Sequence, residues 1–370
     1  MRAALTVLFF LILAAPAAAW IPNDPGTSGT PGGWQADQWN FMPGTGVDAP
    51  RAWDNLIAAG RPGGKGVKIA VLDSGVSYAR SPDLSSIRFA RGRDFCSRMG
   101  TGAASCAGED NTPEDDYGHG THVASTIAES TNNGKGLTGL AYGATIIPVK
   151  VLNQFGDGDE DSIAKGLRYA ADQGAQVINM SFEFGSSITA ASEIPRIAAA
   201  VKYAQRKGAL IVGASGNIAF DRVSYPAALK GIVSVGAVTE HGCLAVYSDT
   251  GADLDLVAPG GGDDAALPDQ PNCLPDETLR PILQLAFTRK NKVFRYTRSY
   301  VGTSMAAPHV SATAALIIAS GVLGPKPTAK ALEDRLKATA RDLGAPGPDP
   351  QYGFGMVDAG AATAKSGVAP

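Results

Sequence analysis

"VKIAVLD", residues 67–73, decides the fold: apolar residues follow one another almost unbroken until a carboxylate ends the run. A strand with one wet face alternates apolar and polar residues. An unbroken apolar run needs cover on both faces, as in a parallel sheet between helices. "TIIPVKVL" (145–152), "QVINMS" (176–181), "ALIVGAS" (209–215) and "GIVSVGAV" (231–238) read the same way. Between them, "DSIAKGLRYAADQG" (161–174) and "IPRIAAAVKYAQRKG" (194–208) have helical spacing and end in glycine. The alternation predicts an α/β protein with a mostly parallel central sheet and helices on both faces, a three-layer architecture.

The rest of the chain sets limits on that reading. It has 370 residues, 44% of them hydrophobic, enough for a large core. A net charge of −3 offers no general basic field for nucleic acid or an anionic membrane. "MRAALTVLFFLILAAPAAAW" opens with Arg2, an apolar stretch and a small-residue site before Trp20, the layout of a signal peptide cut after Ala19. The apolar stretch is short for a membrane span, and Pro16 follows closely. Export makes Cys96, Cys106, Cys243 and Cys273 a disulfide framework. Three pairings exist, and the simplest is Cys96–Cys106 with Cys243–Cys273; buried free thiols are the alternative. Residues 20–66, rich in Pro and Gly, read as an extended arm packed on a domain that covers 67–370.

Sites in such sheets gather at the carboxyl ends of strands. Asp73 closes one strand, and Ser215-Gly216-Asn217 closes another. Ser304 precedes the Ala-rich helical run of "YVGTSMAAPHVSATAALIIAS" (300–320), so it reads as a helix cap or as a nucleophile aimed by the helix. A nucleophilic serine needs a base, a carboxylate to orient it and donors for the oxyanion. The chain has four histidines. His309 points away along the same helix, and His241 lies in a turn without notable neighbours. His119 in "YGHGTHVASTIAES" is bracketed by glycines at a helix start, while His122 reads as packed structure. A metal pair of His119 and His122 is the rival, without an H-E-x-x-H pattern to support it. Asp73 serves either as the orienting acid or in an Asx-turn. Asn217 offers amide N–H groups to an oxyanion. The order Asp…His…Ser differs from that of α/β-hydrolases and of chymotrypsin-like enzymes and is the order known for subtilisin.

"AVLDSGV", "GHGTHVAST", "VINMS", "GASGN" and "GTSMAAPHVSATAAL", in that order, resemble the signature blocks of subtilisin-like serine proteases, the subtilases. The arm resembles the start of a mature member, and "YGFGMVDA" (352–359) the closing segment. The resemblance implies peptide-bond hydrolysis through an acyl-enzyme. Ser304 is then the nucleophile, His119 the base, Asp73 the orienting acid and Asn217 the oxyanion-hole donor. It implies no cofactor for catalysis and a structural calcium held by Asp83 and Asn133. The expected partner is a polypeptide substrate bound as an added strand along Ser181, Phe182, Glu183 and Phe184. Nucleic acid and, after signal cleavage, membrane are not expected partners; the protein is expected to be a secreted monomer.

The chain also departs from the family. No pro-domain is recognisable between signal and arm, so a separate folding-assistant or inhibitor chain is one expectation. "SFEFGSS" (181–187) replaces a small, Gly-rich edge, and Glu183 or Phe184 is expected to reshape the pocket beside the scissile bond. "EDNTPEDDYGHG" (109–120) reads first as a solvated loop and second as an attractor of basic substrate residues. "LAFTRKNKVFRYTRS" (285–299) reads as a hairpin. An inactive binding protein on the same fold should lack at least one site residue, and none is missing. An esterase using the same triad is the closer alternative.

Overall fold

All five apolar runs are strands of one sheet in the computed structural model, which describes residues 19–77, 81–101, 105–267, 270, 272–274, 280–288 and 293–365. The expected signal peptide lies outside these residues except for Ala19. The described strands are β1 (Lys68–Asp73), β2 (Arg88–Phe89), β3 (Arg93–Asp94), β4 (Arg98–Met99), β5 (Cys106–Ala107) and β6 (Thr145–Lys150). They continue with β7 (Val177–Met180), β8 (Leu210–Ala214), β9 (Val233–Val238), β10 (Leu256–Pro259), β11 (Gln284–Thr288) and β12 (Val293–Thr297). The helices are α1 (Trp34–Asp37), α2 (Ala49–Ala58), α3 (His119–Ala128), α4 (Glu160–Asp172), α5 (Pro195–Arg206), α6 (Thr303–Ser320), α7 (Ala329–Ala338) and α8 (Ala359–Thr363).

The main sheet runs β10-β9-β8-β7-β1-β6-β2, with β3 also on β6, and each of these pairings is parallel. Both faces are dry, as the unbroken apolarity requires. Ile69 and Val71 enter the core formed with α2, α3 and α6, while Ala70 and Leu72 enter the one formed with α4 and α5. From β1 the chain crosses to β6 on one side and returns to β7 on the other. This reversal of direction opens a crevice at the carboxyl end of β1, where Asp73 stands. α6 is apolar nearly all round and buried along most of its length, as such a helix must be.

The 20–66 segment differs from its reading as an extended arm. Within it α2 buries Ala49, Ala52, Trp53 and Leu56, the i, i+3, i+4, i+7 stripe of an amphipathic helix. Trp34 and Trp53 are fully buried in the α6 core, and Trp53 Nε1 donates to Leu140 O at 2.8 Å. Flanking Pro and Gly had outweighed that stripe in the sequence. Both expected disulfides are present, Cys96–Cys106 and Cys243–Cys273. β11 and β12 pair antiparallel as the expected hairpin, and β11 packs on α3. No helix among the described residues is long and apolar enough to cross a membrane.

Candidate active site

Asp73, the last residue of β1, is fully buried, and its Oδ1 accepts from Ser74 N and His119 Nδ1, both at 2.8 Å. A carboxylate accepts only, so Nδ1 carries the hydrogen and Nε2 keeps a free lone pair. Burial alone would lower the imidazole pKa. The Asp73 charge and hydrogen bond, with Asp115 behind them, outweigh burial and hold His119 above its ordinary value.

Two charges that the sequence reading passed over fix this geometry. Lys150 lies opposite Asp73 in the β1–β6 register and is buried. Its Nζ donates to Ser74 O (2.9 Å), Leu152 O (2.7 Å) and Asp116 Oδ1 (2.8 Å), pinning the ends of both strands. Asp115 belongs to the acidic run read as solvated, yet it is fully buried. It accepts from Ser74 Oγ, Gly118 N and Thr121 N, each at 2.9 Å, and so ties the loop after β1 to the first turn of α3. An acid at a helix N-terminus also suits the helix dipole. Burial pushes the Asp115 carboxyl above the usual range despite these bonds. A Cβ at Gly120 would lie 2.1 Å from Gly75 O, so only glycine lets the His119 turn sit against β1.

Ser304 is not the helix cap. α6 begins at Thr303 after Gly302, with no side-chain cap, so Ser304 is the second helical residue. Its Oγ donates to Ser181 O at 3.0 Å, and Ser181 Oγ donates back to Ser304 O at 2.8 Å. Pro308 explains the second bond. Four residues on, it has no N–H to give the Ser304 carbonyl, and the Ser181 hydroxyl fills that role. Ser304 and the carboxyl end of β7 are thereby locked together.

Asn217 follows Gly216, and its Oδ1 accepts from Thr303 N (2.8 Å) and Thr303 Oγ1 (3.1 Å). A backbone N–H must face oxygen, so the amide nitrogen is left facing the cleft. There Nδ2 donates to Glu183 Oε2 at 3.3 Å. His119, Ser304, Asn217, Ser181, Phe182 and Glu183 line one cleft of about 210 Å³. Phe184 lines the adjoining cavity of about 240 Å³ together with Phe182 and Glu183. A larger groove of about 720 Å³ around Lys202, Lys230 and Glu333 brings no nucleophile and base together.

The other histidines separate clearly. His122 Nε2 donates to Ile282 O at 3.1 Å, and burial takes its pKa down to about 3. Its ring serves packing, and His119 is engaged with Asp73, so the two do not form a metal pair. His309 bridges Met305 O and Asn40 inside the core, and burial lowers it to about 4. His241 corrects the sequence reading: its Nδ1 lies 2.9 Å from Oδ2 of buried Asp264. Cys243, Asp264 and Cys273 converge beside it, but both sulfurs are spent in a disulfide.

Asp83 and Asn133 meet, with Asn133 Nδ2 donating to Asp83 Oδ1 at 2.7 Å. Asn133 Oδ1 accepts from Lys135 N, so its oxygen faces away from Asp83. Tyr296 donates to Asp83 Oδ2 at 2.8 Å, and buried Glu129 beside them has an Oε1 without a partner. Burial, then the Asp83 charge, holds the Glu129 carboxyl well above its usual range. This hard, oxygen-rich set with one orphaned oxygen fits a calcium ion in its chemistry, with Asp83 and Glu129 as the ligands. Asn133 fits as the partner that orients Asp83.

A scan against family models matches residues 64–355 to the subtilase family. This chain belongs to that family. The chain is 37% identical over 317 residues to Subtilisin Savinase of Lederbergia lenta, covering 86% of this chain and 96% of that one. It is 37% identical over 276 residues to the cell wall-associated protease of Bacillus subtilis, but spans only 26% of that longer protein. Among solved structures, a protease of Pseudoalteromonas arctica matches with a TM-score of 0.71 and 30% identity, over 93% of this chain and 99% of that one. The subtilase is therefore a serine-type endopeptidase on an α/β fold of mostly parallel strands.

Proposed function

We propose that this subtilase is a secreted endopeptidase that cleaves polypeptides through an acyl-enzyme on Ser304. One observation carries the reading: the Asp73–His119 hydrogen bond of 2.8 Å opens onto the cleft that also holds Ser304 and Asn217. Ser304 Oγ attacks the scissile carbonyl carbon, and His119 Nε2 takes its proton while Nδ1–H stays on Asp73. The carbonyl oxygen becomes an oxyanion that accepts from Asn217 Nδ2 and from the Ser304 N–H at the start of α6. His119 returns the proton to the leaving amine as the C–N bond breaks. Water, deprotonated by His119, then releases the acyl group and regenerates Ser304.

Substrate lies as an added strand along residues 181–184, and that open edge favours peptides over small esters. Two disulfides and the amino-terminal pattern support export to an oxidising compartment. A calcium ion held by Asp83 and Glu129 would supply no chemistry to the reaction; it would neutralise buried acids beside the loop after α3. Labelling with a fluorophosphonate, wild type against Ser304→Ala, together with a casein digest, tests the mechanism. Wild type should label at Ser304 and degrade casein, and the variant should do neither. Labelling that survives in the variant ends the proposal.

A further inference from the structure

Glu183 is an acid where an uncharged, small residue was expected, and its position has a chemical meaning. Its Oε2 sits 3.3 Å from Asn217 Nδ2, the amide that faces the reacting carbonyl. That carbonyl belongs to the substrate residue on the acyl side of the scissile bond, called P1. The P1 side chain branches one atom away from the carbonyl carbon. A carboxylate in contact with the oxyanion donor is thus within a side chain's reach of P1.

The surroundings are one-signed. The residues lining the catalytic cleft include no lysine or arginine, and those lining the cavity beyond it add an exposed acid, Asp157. Near Glu183, buried Asp249 accepts from Ile218 N, Phe220 N and Ser224 Oγ, with no cation bonded to it among the described residues. Two further aspects set the state of Glu183. Burial first, and the Asp249 charge second, push its carboxyl up to about 7. Its cleft partners among the described residues are the neutral side-chain and backbone N–H groups of Asn217, which offset little of the desolvation of a carboxylate.

We infer that Glu183 selects substrates with lysine or arginine at P1, exchanging its contact with the Asn217 amide for an ion pair with the substrate's cation. The inference rests on the serine-protease reading above. The exchange has two effects in one step. The P1 cation is held in an acidic pocket, and Asn217 Nδ2 is released to the oxyanion. A neutral P1 side chain offers Glu183 no better partner, so the amide stays engaged and the oxyanion is less well stabilised. The preference should therefore show in kcat as well as in KM.

The test uses peptide p-nitroanilides identical except for P1, with Lys, Arg, Leu, Phe and Glu compared at pH 8. A charge-assisted hydrogen bond of about 1.5–3 kcal/mol corresponds to a preference on the order of 10- to 100-fold in kcat/KM for Lys and Arg over Leu and Phe. Glu183→Gln should erase most of that ratio, and Glu183→Lys should invert it toward P1 Glu. Benzamidine, an aromatic cation, should inhibit wild type competitively and lose affinity for Glu183→Gln. A wild type that prefers Leu or Phe, or a Lys/Leu ratio unchanged in Glu183→Gln, overturns the inference. Fluorophosphonate labelling of the wild type, which needs no P1 side chain, separates the two readings. A labelled enzyme without basic preference defeats only this inference, whereas an unlabelled one defeats the serine mechanism itself.

Discussion

Two imidazoles in this chain rest on fully buried carboxylates at nearly the same distance, His119 on Asp73 at 2.8 Å and His241 on Asp264 at 2.9 Å. Both use Nδ1, and both rings are partly exposed. Only the first opens onto the cleft that holds Ser304 and Asn217, and the proposed mechanism uses it alone. Asp73 ends the central strand at the point where the sheet's connections reverse, and His119 opens a helix whose first turn is clamped by Asp115. A serine at a second helix start, and an amide turned by Thr303, face the same cleft. Asp264 instead accepts from Thr239 Oγ1 and Leu274 N beside the Cys243–Cys273 disulfide, and His241 completes a loop clasp. A His–Asp pair is a common local solution to burying a carboxylate. On the proposed mechanism, what makes one of them a catalytic dyad is the crevice that other elements bring to it.

Substitutions should pull the two pairs far apart. The largest loss belongs to Ser304→Ala, about 10⁶-fold in kcat by the magnitude known for subtilisin itself. Asp73→Asn should cost on the order of 10⁴-fold, because it favours the wrong imidazole tautomer, while Asp264→Asn should leave kcat/KM within about twofold. Kinetics of the two Asn variants side by side check this directly; equal losses would erase the distinction. Asn217→Ala should lower kcat by about 10²–10³-fold with little change in KM, again a magnitude known for subtilisin.

The pH profile sharpens the comparison further. A base works only when unprotonated, and His119 is held above its ordinary value near 6.5. The acid limb of kcat/KM for a neutral-P1 substrate should therefore fall above pH 6.5, and Asp73→Asn should move it down. A limb below 6.5 in the wild type would contradict the Asp73 contact. The linkage sign runs against activity. A raised histidine stabilises the fold fully below its unfolded value, and that contribution fades as pH rises through the folded one. The pair stabilises least where the enzyme works best.

Much of this was legible from residues alone. Unbroken apolarity in 67–73 meant two dry faces, and the sheet has them on α3/α6 and α4/α5. The meeting of Asp73, His119, Asn217 and Ser304 was legible because each stands at an element boundary, where chemistry-bearing residue types are few. Lys150 and Asp115 were not, because their roles depend on tertiary burial. A lysine ending a strand and an acid in a charged run look solvated until the β1–β6 register and the α3 turn close over them. The α2 stripe was present but masked by its Pro- and Gly-rich flanks. The cap reading of Ser304 missed by two positions, since Gly302 holds the boundary and Ser181 takes the hydroxyl. The Asp264 contact joins residues 23 positions apart with β10 between them, and no local pattern announces it.

That last pair supplies the smallest effect and the cleanest control. Asp264 is fully buried with acceptor bonds from His241, Thr239 and Leu274, so Asp264→Asn turns an acceptor oxygen into a donor facing other donors. Mispairing a buried group costs about 1–3 kcal/mol, roughly several degrees of Tm in a chain of this size. His241→Ala removes only one of the three bonds from a partly exposed ring and should cost less, about 1 kcal/mol. Thermal melts of both variants under matched buffer, with peptide hydrolysis measured on the same samples, test the clasp. Loss of Tm with kcat retained is the expected result. A kcat loss in His241→Ala at full Tm would place His241 in the chemistry and end its role as a clasp.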